Sequence, residues 1–343
     1  MKGWQLSRLA LVSRLVLAAS MVPAICMSVA HAQGVAVAIG SVLEPNINIP
    51  LLVARDRGLF KKYNLDVTLK LFPTGTEIVQ AIAGGSLDFG ASGGVPATIL
   101  AARSGKVKVV ARLADISRDL ALVASANSEI KRPEDIKGKV VGQASGTVSE
   151  YLVTAFAEHW GIPLDSFQRV NLGGPDQVNA LAKGSIQVAS LWAPFTGRWK
   201  SSGGVILQSA TTSFWSGAEG KVKLVSDPGV LFGRSEYLGN NAEAVKNLLR
   251  AVNEATDWLT RNPEEAGAIA ATTLNTPKDA MVDLIKQGNI QLSFDQTLAD
   301  DLNAEADFLK AQKTVPQDFS ITKWAAPEYL HDVVPERATY KLK

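Results

Sequence analysis

The chain has 343 residues, of which 46% are hydrophobic and 20% are charged, and its formal net charge is +2. Three of its 35 basic residues, Lys2, Arg8 and Arg14, lie in an N-terminal segment without acids, so 32 basic residues face 33 acidic ones in the rest of the chain. The resulting net charge of −1 gives no reason to expect nucleic acid or an anionic membrane surface as a partner.

The first 32 residues have the pattern of a cleaved secretory signal. A basic start is followed by the short apolar stretch Leu15–Val29 and by the small residues Ala30 and Ala32. This pattern predicts a signal peptide over residues 1–32, cleavage after Ala32 and a mature protein in the periplasm. Cys26 is the single cysteine and leaves with the signal, so the mature chain is predicted to contain no disulfide.

Short apolar runs alternate with helical patterns from residue 35 to residue 113. Each run is separated from the next pattern by a loop of a few residues, which is typical of a parallel sheet covered by helices. The predicted strands are Val35–Ile39, Leu65–Leu71, Leu87–Ala91 and Val107–Leu113, and the predicted helices are Pro50–Phe60, Thr76–Ala83 and Val95–Arg103.

The same alternation then begins again and continues to about residue 232. Its predicted strands are Leu120–Ala124, Lys139–Gly142, Phe167–Asn171, Ile186–Ser190, Val205–Leu207, Val222–Val225 and Val230–Phe232. Its predicted helices are Thr147–Trp160, Asp176–Lys183 and Pro194–Lys200. From Ala242 to the end, the pattern predicts an almost wholly helical tail that packs on sheet already formed.

This restart predicts two lobes joined by two crossings of the chain. The predicted boundaries are 33–118 for the first part of lobe 1, 119–227 for lobe 2, and 228–343 for the return to lobe 1. The alternative is a single doubly wound domain with a helical appendage.

Small and hydroxyl residues follow four predicted strands, at the points where helices begin. Helix starts carry unpaired N–H groups and the positive end of the helix dipole, which suits anions. In an open α/β sheet, ligands lie beyond the carboxyl ends of the strands. The residues at these positions are Ser41; Ser92, Gly93 and Gly94; Ser145, Gly146 and Thr147; and Trp192 and Ala193. Ordinary turn chemistry is the alternative explanation at each position.

Several segments in order resemble one family of transport proteins. They are the 11 residues Pro50–Phe60, the segments 72–75 and 83–96, the segment Ile130–Gly138, Ser145–Thr147 and Leu191–Pro194. The chain resembles the solute-binding proteins of ABC importers of the nitrate, sulfonate and taurine type, a group related to thiamine-pyrimidine synthases. The resemblance implies a two-lobed α/β periplasmic binding protein of type II, with a two-strand hinge and a helical C-terminal tail.

The resemblance also implies a monomeric receptor without cofactor or metal, which holds a small molecule in the cleft and delivers it to a membrane permease. Asn46 and Asn48 are candidate ligand contacts, with helix capping as the alternative. The family commonly has Asp where this chain has Ala193, which removes an acceptor for an amine. The predicted ligand is therefore a sulfonate- or carboxylate-like organic anion, with a pyrimidine-type heterocycle stacked on Trp192 as the alternative.

Other protein classes fit the sequence less well. Residues 90–94 match the G-x-S-x-G pattern of hydrolases around Ser92, but His331 falls in a predicted helix rather than after a last strand. Desulfinases of this fold use a cysteine, and the pyrimidine synthases need a cysteine-rich iron motif; the predicted mature chain has neither. His159 and His331 lie 172 residues apart, so no metal motif is formed. A sensor subunit for a membrane kinase remains a third class.

Overall fold

The computed structural model describes residues 34–341. The predicted signal peptide and its cleavage site lie outside the described residues. In the described part of the chain, no helix combines the length and apolarity needed to cross a membrane.

The first sheet contains six strands in the order β13-β4-β12-β3-β1-β2. Strand β1 pairs in parallel with β2 and β3, whereas β12 runs antiparallel to both β3 and β4. The strands are β1 (Val35–Val42), β2 (Leu65–Phe72), β3 (Phe89–Gly93), β4 (Val107–Asp115), β12 (Pro228–Arg234) and β13 (Ile290–Ser293).

The second sheet contains seven strands in the order β11-β10-β9-β5-β8-β6-β7. Strand β6 pairs in parallel with β7 and β8, and β5 runs antiparallel to β8 and β9. The strands are β5 (Ala121–Ala124), β6 (Val140–Gln143), β7 (Gln168–Asn171), β8 (Val188–Leu191), β9 (Val205–Ser209), β10 (Thr212–Ser213) and β11 (Gly220–Lys221).

Helices cover both sheets. Those of the first sheet are α1 (Pro45–Asp56), α2 (Leu59–Lys62), α3 (Gly75–Ala83), α4 (Gly94–Ser104), α8 (Ser235–Asn240), α9 (Ala242–Arg261), α10 (Pro263–Leu274), α11 (Lys278–Lys286), α12 (Gln296–Ala311) and α13 (Glu328–His331). Those of the second sheet are α5 (Val148–His159), α6 (Gly174–Ala182) and α7 (Phe195–Ser201). We call the first sheet with its helices lobe 1, and the second sheet with its helices lobe 2.

Two segments connect the lobes, residues 116–120 between β4 and β5, and residues 222–227 between β11 and β12. They are bonded to each other, because the Ile116 amide donates to the Asp227 carbonyl oxygen at 3.0 Å and the Asp227 amide donates to Ser117 Oγ at 2.9 Å. We call these two segments the hinge. The predicted two-lobed α/β fold with a two-strand hinge is confirmed, whereas the exact domain boundaries at residues 118 and 227 stay a prediction.

Several elements differ from the sequence prediction. Helix α1 begins at Pro45 instead of Pro50, because Glu44 caps it and Pro50 is accommodated inside the helix. Residues 222–225 are part of the hinge and not a strand. The helical tail also contributes the four-residue strand β13, which pairs antiparallel with the edge of β4. A strand this short produces no clear alternation in the sequence.

Candidate functional site

A cavity lies between the two lobes, against the hinge. Its lining comes from lobe 1, lobe 2 and both hinge segments, and consists of Val42, Glu44, Thr74, Gly75, Gly93, Pro96, Ile116, Thr147, Val148, Trp192 and Asp227. The cavity volume is about 30 Å³, which is room for one or two water molecules. A larger groove of about 1620 Å³ borders the hinge as well, but its lining does not include Trp192.

The lobes touch each other around this cavity. Tyr151 of α5 stacks on Phe308 of α12, with ring centroids 3.9 Å apart and an interplanar angle of 18°. Thr76 Oγ1 of lobe 1 also lies 3.4 Å from the Ser145 carbonyl oxygen of lobe 2. The arrangement is therefore closed, with the cavity bounded by both lobes at once.

The start of α1 is capped by a carboxyl group of the chain itself. Glu44 Oε2 accepts from the Ile47 amide at 2.8 Å, and Oε1 accepts from Asn46 Nδ2 at 3.0 Å. Glu44 is 1% exposed. Burial and the nearby Asp119 carboxylate raise the pKa of Glu44 to about 8. Because Glu44 lines the cavity, it presents an acceptor, or a protonated carboxyl, to whatever enters.

The two asparagines predicted to reach the ligand lie inside α1. Both are fully buried. Asn48 Nδ2 donates to the carbonyl oxygens of Val42 and Glu44. Asn46 Nδ2 bridges Glu44 and Asp119 Oδ2, the latter at 3.0 Å. Neither asparagine is among the cavity-lining residues, and neither caps α1, because the cap is Glu44 and both side-chain Oδ1 atoms lack a donor among the described residues. Their contact with a solute stays a prediction.

The start of α4 lies against two other carboxyl groups. Asp227 of the hinge is 1% exposed and lines the cavity beside Gly93. Burial, with repulsion from Asp115, raises its pKa to about 8, and the Gly94 amide offsets a part of this. Glu305 of α12 lies behind Gly94 and is fully buried. Ser92 is buried too, and its hydroxyl donates to the Gly93 carbonyl oxygen at 2.9 Å.

At the start of α5, too, backbone amides donate to side chains of the protein itself. The Gly146 amide donates to Glu150 Oε2 at 2.8 Å, and the Ser145 amide donates to Asn171 Oδ1 at 3.0 Å. Thr147 is the N-cap residue, since its Oγ1 accepts from the Ser149 amide at 3.2 Å. Thr147 lines the cavity, but its hydroxyl already donates to the Ala144 carbonyl oxygen.

Trp192 is the largest of the lobe 2 side chains that line the cavity. It is 7% exposed, and its Nε1 has no hydrogen-bond acceptor within residues 34–341. Phe195 holds the ring edge-on, with centroids 5.6 Å apart. Trp192 therefore offers an apolar face and one unpaired N–H donor. Ala193 follows on a cis bond to Pro194 and borders the larger groove instead of the cavity.

Of the predicted site residues, the cavity thus brings together Gly93, Thr147 and Trp192. Ser41 is fully buried inside β1, which extends to Val42. Sequence reasoning missed Glu44, Asp227, Thr74, Gly75 and Ile116. A signal existed for Thr74 and Gly75, because a Thr-Gly pair after a strand and before a helix is typical of an N-cap. Their α3 start indeed has Thr74 Oγ1 accepting from the Glu77 amide.

The described residues give no support to the hydrolase or metal alternatives. The Ser92 hydroxyl donates to the carbonyl oxygen of the next residue, Gly93, and His331 is exposed in α13. Within residues 34–341, no group of three His, Cys, Asp or Glu side chains is placed to hold a metal ion.

Comparison with known proteins places this geometry in context. The family model described as NMT1/THI5 like matches residues 45–266. A protein of Brucella abortus (strain 2308) that is named as a binding protein is 30% identical over 276 residues, covering 80% of this chain and 83% of the relative. The taurine-binding periplasmic protein of Escherichia coli (strain K12) is 26% identical over 283 residues, covering 78% of this chain and 84% of the relative.

One solved structure has the same fold across both lobes. The alkanesulfonate-binding protein SsuA from Xanthomonas axonopodis pv. citri, solved bound to MOPS, superposes with a TM-score of 0.71 over 86% of this chain and 99% of SsuA. Its sequence identity is 18%, so this likeness shows the fold.

Proposed function

The chain belongs to the NMT1/THI5-like family, and from this we propose that it is a periplasmic solute receptor that delivers a small organic molecule to the permease of an ABC importer. The named relatives support a solute-binding role, since one is called a binding protein and another a taurine-binding periplasmic protein.

The observation that carries the proposal is a cavity enclosed jointly by lobe 1, lobe 2 and the hinge. The cavity as described has room for one or two water molecules, so a solute enters when the lobes separate and contacts both of them when they close around it. Its binding energy then favours the closed form over an open one, which is how a receptor signals that it is loaded. The contact of Tyr151 with Phe308 stabilises the closed form even without a solute.

The first ligand class is a sulfonate- or carboxylate-like organic anion. It is supported by the names of the sulfonate- and taurine-binding proteins above and by the unpaired Trp192 N–H. The cavity lining contains two carboxyl groups and no lysine, arginine or histidine. An anion is therefore accepted only while Glu44 and Asp227 are protonated, and its affinity is expected to fall as the pH rises from about 6 to about 9.

The second ligand class is a solute with N–H donors, such as a pyrimidine-type heterocycle or an amine. A specific observation favours it: Glu44 and Asp227 present carboxyl oxygens to the cavity beside the flat ring of Trp192. Carboxyl oxygens accept hydrogen bonds from such groups, and the bonds are strongest when the carboxyl is ionised. The affinity of this class is expected to hold or rise over the same pH range.

A thermal-shift screen tests the function. The mature protein is mixed with sulfonates, nitrate, carboxylates, amines and pyrimidines, and a solute at 100 times its Kd adds about 2.7 kcal/mol to stability. We expect at least one member to raise the Tm, and we expect Trp192→Ala to abolish that rise. Phe214→Ala is the matched control, because Phe214 is 49% exposed and lies outside the cavity. A panel without any shift would contradict the proposal.

The two ligand classes are then separated by paired titrations. Taurine and ethanesulfonate have nearly the same size and acid group, but only taurine carries an amine. Calorimetry showing taurine more than tenfold tighter favours the N–H donor class, and the reverse order favours the simple anion.

The permease partner and the monomeric state are proposals of the same kind. Transport into proteoliposomes that hold the cognate permease should require this protein. Stimulation of a membrane kinase in place of transport would identify a sensor.

A further inference from the structure

Two carboxyl groups are packed against the two consecutive glycines at the start of α4. A Cβ atom at Gly93 would lie 2.7 Å from Asp227 Oδ1, and one at Gly94 would lie closer still to Glu305 Oε2. Real Cβ atoms do not approach other atoms this closely, so each side chain would need the space of a carboxyl oxygen. The glycines therefore accommodate two acids of the chain itself.

Both carboxyl groups are buried and lack a well-formed hydrogen bond. Asp227 is 1% exposed and Glu305 is fully buried, and none of their four oxygens has a partner of good geometry among the described residues. Asp227 borders the cavity, whereas Glu305 does not. Glu305 therefore lies one layer behind the group that a solute meets.

The charged surroundings of this pair are predominantly acidic. The carboxylates of Asp115 in β4 and Asp301 in α12 repel negative charge on the pair. On the lobe 2 side, burial and the nearby Glu305 raise the pKa of Tyr151 in α5. The one nearby cation among the described residues is Arg112 of β4, whose Nη2 is already bonded to Asp301 Oδ2 at 2.7 Å. The Arg112 guanidinium offsets a part of the rise in the Glu305 pKa, but the ion pair it forms is with Asp301.

Two buried carboxyls that share a site without a free cation do not both ionise at neutral pH. Burial, followed by repulsion from Asp227 and Asp301, holds the pKa of Glu305 well above its ordinary range. The pKa of Asp227 is also raised, to about 8. Both groups are therefore mainly neutral at pH 7, and a small change in surroundings is enough to ionise Asp227.

We propose that Asp227 and Glu305 form a coupled carboxyl pair in which Asp227 gives up one proton when a solute bearing a cationic nitrogen binds. The proposal rests on the solute-receptor function proposed above. The proton leaves Asp227 for the solvent, the carboxylate pairs with the cation of the solute, and Glu305 keeps its own proton. Glu305 stays protonated because it is fully buried and because the Asp227 carboxylate opposes a second negative charge beside it.

The pair is tested first without any solute. Carbon-13 labels in the aspartate and glutamate carboxyls report the ionisation of each group by NMR between pH 5 and 10. In the wild type we expect the carboxyl signals that remain protonated at pH 7 to include Glu44 and both members of the pair, with one signal lost in Asp227→Asn and another in Glu305→Gln. In Asp227→Asn the Glu305 signal should titrate at a lower pH, because the repelling carboxylate is gone, and the exposed Asp66→Asn should change neither.

Two results of that titration would overturn the pair: both carboxyls ionised at pH 7 in the wild type, or a Glu305 titration that Asp227→Asn does not move.

Proton release is tested with taurine as the probe and ethanesulfonate as its amine-free match. Calorimetry at pH 7 in phosphate and in Tris measures the protons exchanged per solute bound. We expect the wild type to release about one proton with taurine and none with ethanesulfonate, and Asp227→Asn to release none with either solute. Taurine binding without proton release would overturn the coupling.

Failure of the coupling and failure of the receptor function are separable. Absence of taurine binding, together with a thermal shift from an amine-free solute, contradicts the cationic ligand and leaves the receptor function standing. Absence of any shift across the panel contradicts the receptor function, whereas the NMR titration still decides whether the pair exists.

Discussion

Replacing Glu44 by glutamine should make the protein more stable at neutral and alkaline pH. The side-chain carbonyl oxygen of the new glutamine can still accept from the Ile47 amide, so the cap of α1 is retained. What the substitution removes is a carboxyl that is 1% exposed and lies near Asp119. The glutamine nitrogen cannot accept from Asn46 Nδ2, which keeps Asp119 Oδ2 as an acceptor, so the cost of the charge is given by how the stability difference changes with pH.

The size and sign of the effect follow from the pKa of Glu44, which folding raises from 4.5 to about 8. Between these values the folded chain binds a proton that the unfolded chain does not, so stability falls as the pH rises, by up to about 1.4 kcal/mol per pH unit. From pH 5 to pH 8 the upper limit is roughly 4 kcal/mol. We expect about 2 kcal/mol, because water and local relaxation reduce the cost of a buried charge.

Urea unfolding at pH 5, 6, 7 and 8 measures how the free energy of unfolding depends on the ionisation of Glu44. Glu44→Gln and the wild type should be equally stable near pH 5, and the variant should gain steadily above it. Glu134→Gln is the control, since Glu134 is exposed and has no ion pair within residues 34–341. Equal pH slopes for wild type and Glu44→Gln, or a variant that loses stability at pH 8, would refute the reasoning.

Three further outcomes are expected. Tyr151→Ala removes the stack on Phe308, worth about 1 kcal/mol, so small-angle scattering should show a larger radius of gyration for the solute-free variant than for the wild type; identical radii would contradict a latch between the lobes. Gly94→Ala should abolish the solute-dependent Tm shift because its Cβ would displace Glu305, whereas Gly239→Ala, with open space around its Cβ, should keep it; a retained shift in Gly94→Ala would count against the site. Intact mass of the periplasmic protein should begin at Gln33 and contain no thiol, and a mass that includes Cys26 would contradict the predicted cleavage.

Local patterns were sufficient to predict the fold. The restart of the strand-helix alternation near residue 120 corresponds to the change from the first sheet to the second. Strand β13 was missed, because its four residues take their place from pairing with β4. The two-residue strands β10 and β11 were missed for the same reason. Elements this short depend on tertiary partners more than on their own residues.

The candidate site was harder to predict, because its acids come from distant parts of the chain. Asp227 reaches the cavity through the second hinge crossing, and Glu305 reaches α4 only when the tail packs on lobe 1. Nothing in the residues around position 94 shows that a glutamate 211 positions later will lie against it. Trp192 and Thr147 follow predicted strand ends and line the cavity, and their contact with a solute stays a prediction.

The glycines at the start of α4 illustrate why the same sequence feature supports opposite conclusions about charge. A Ser-Gly-Gly helix start predicts room and N–H donors for an anion from outside. In the fold, the chain places carboxyl groups at three helix starts around the cavity: Glu44 at α1, Asp227 with Glu305 at α4, and Glu150 at α5. The positive ends of these helices therefore already face negative or protonated groups of the protein itself. Among the described residues, what is left unpaired for a solute is mainly carboxyl oxygen and the Trp192 N–H. The choice between an anion and a nitrogen-bearing solute thus depends on the protonation of these acids, which is a property of the folded chain and not of any local motif.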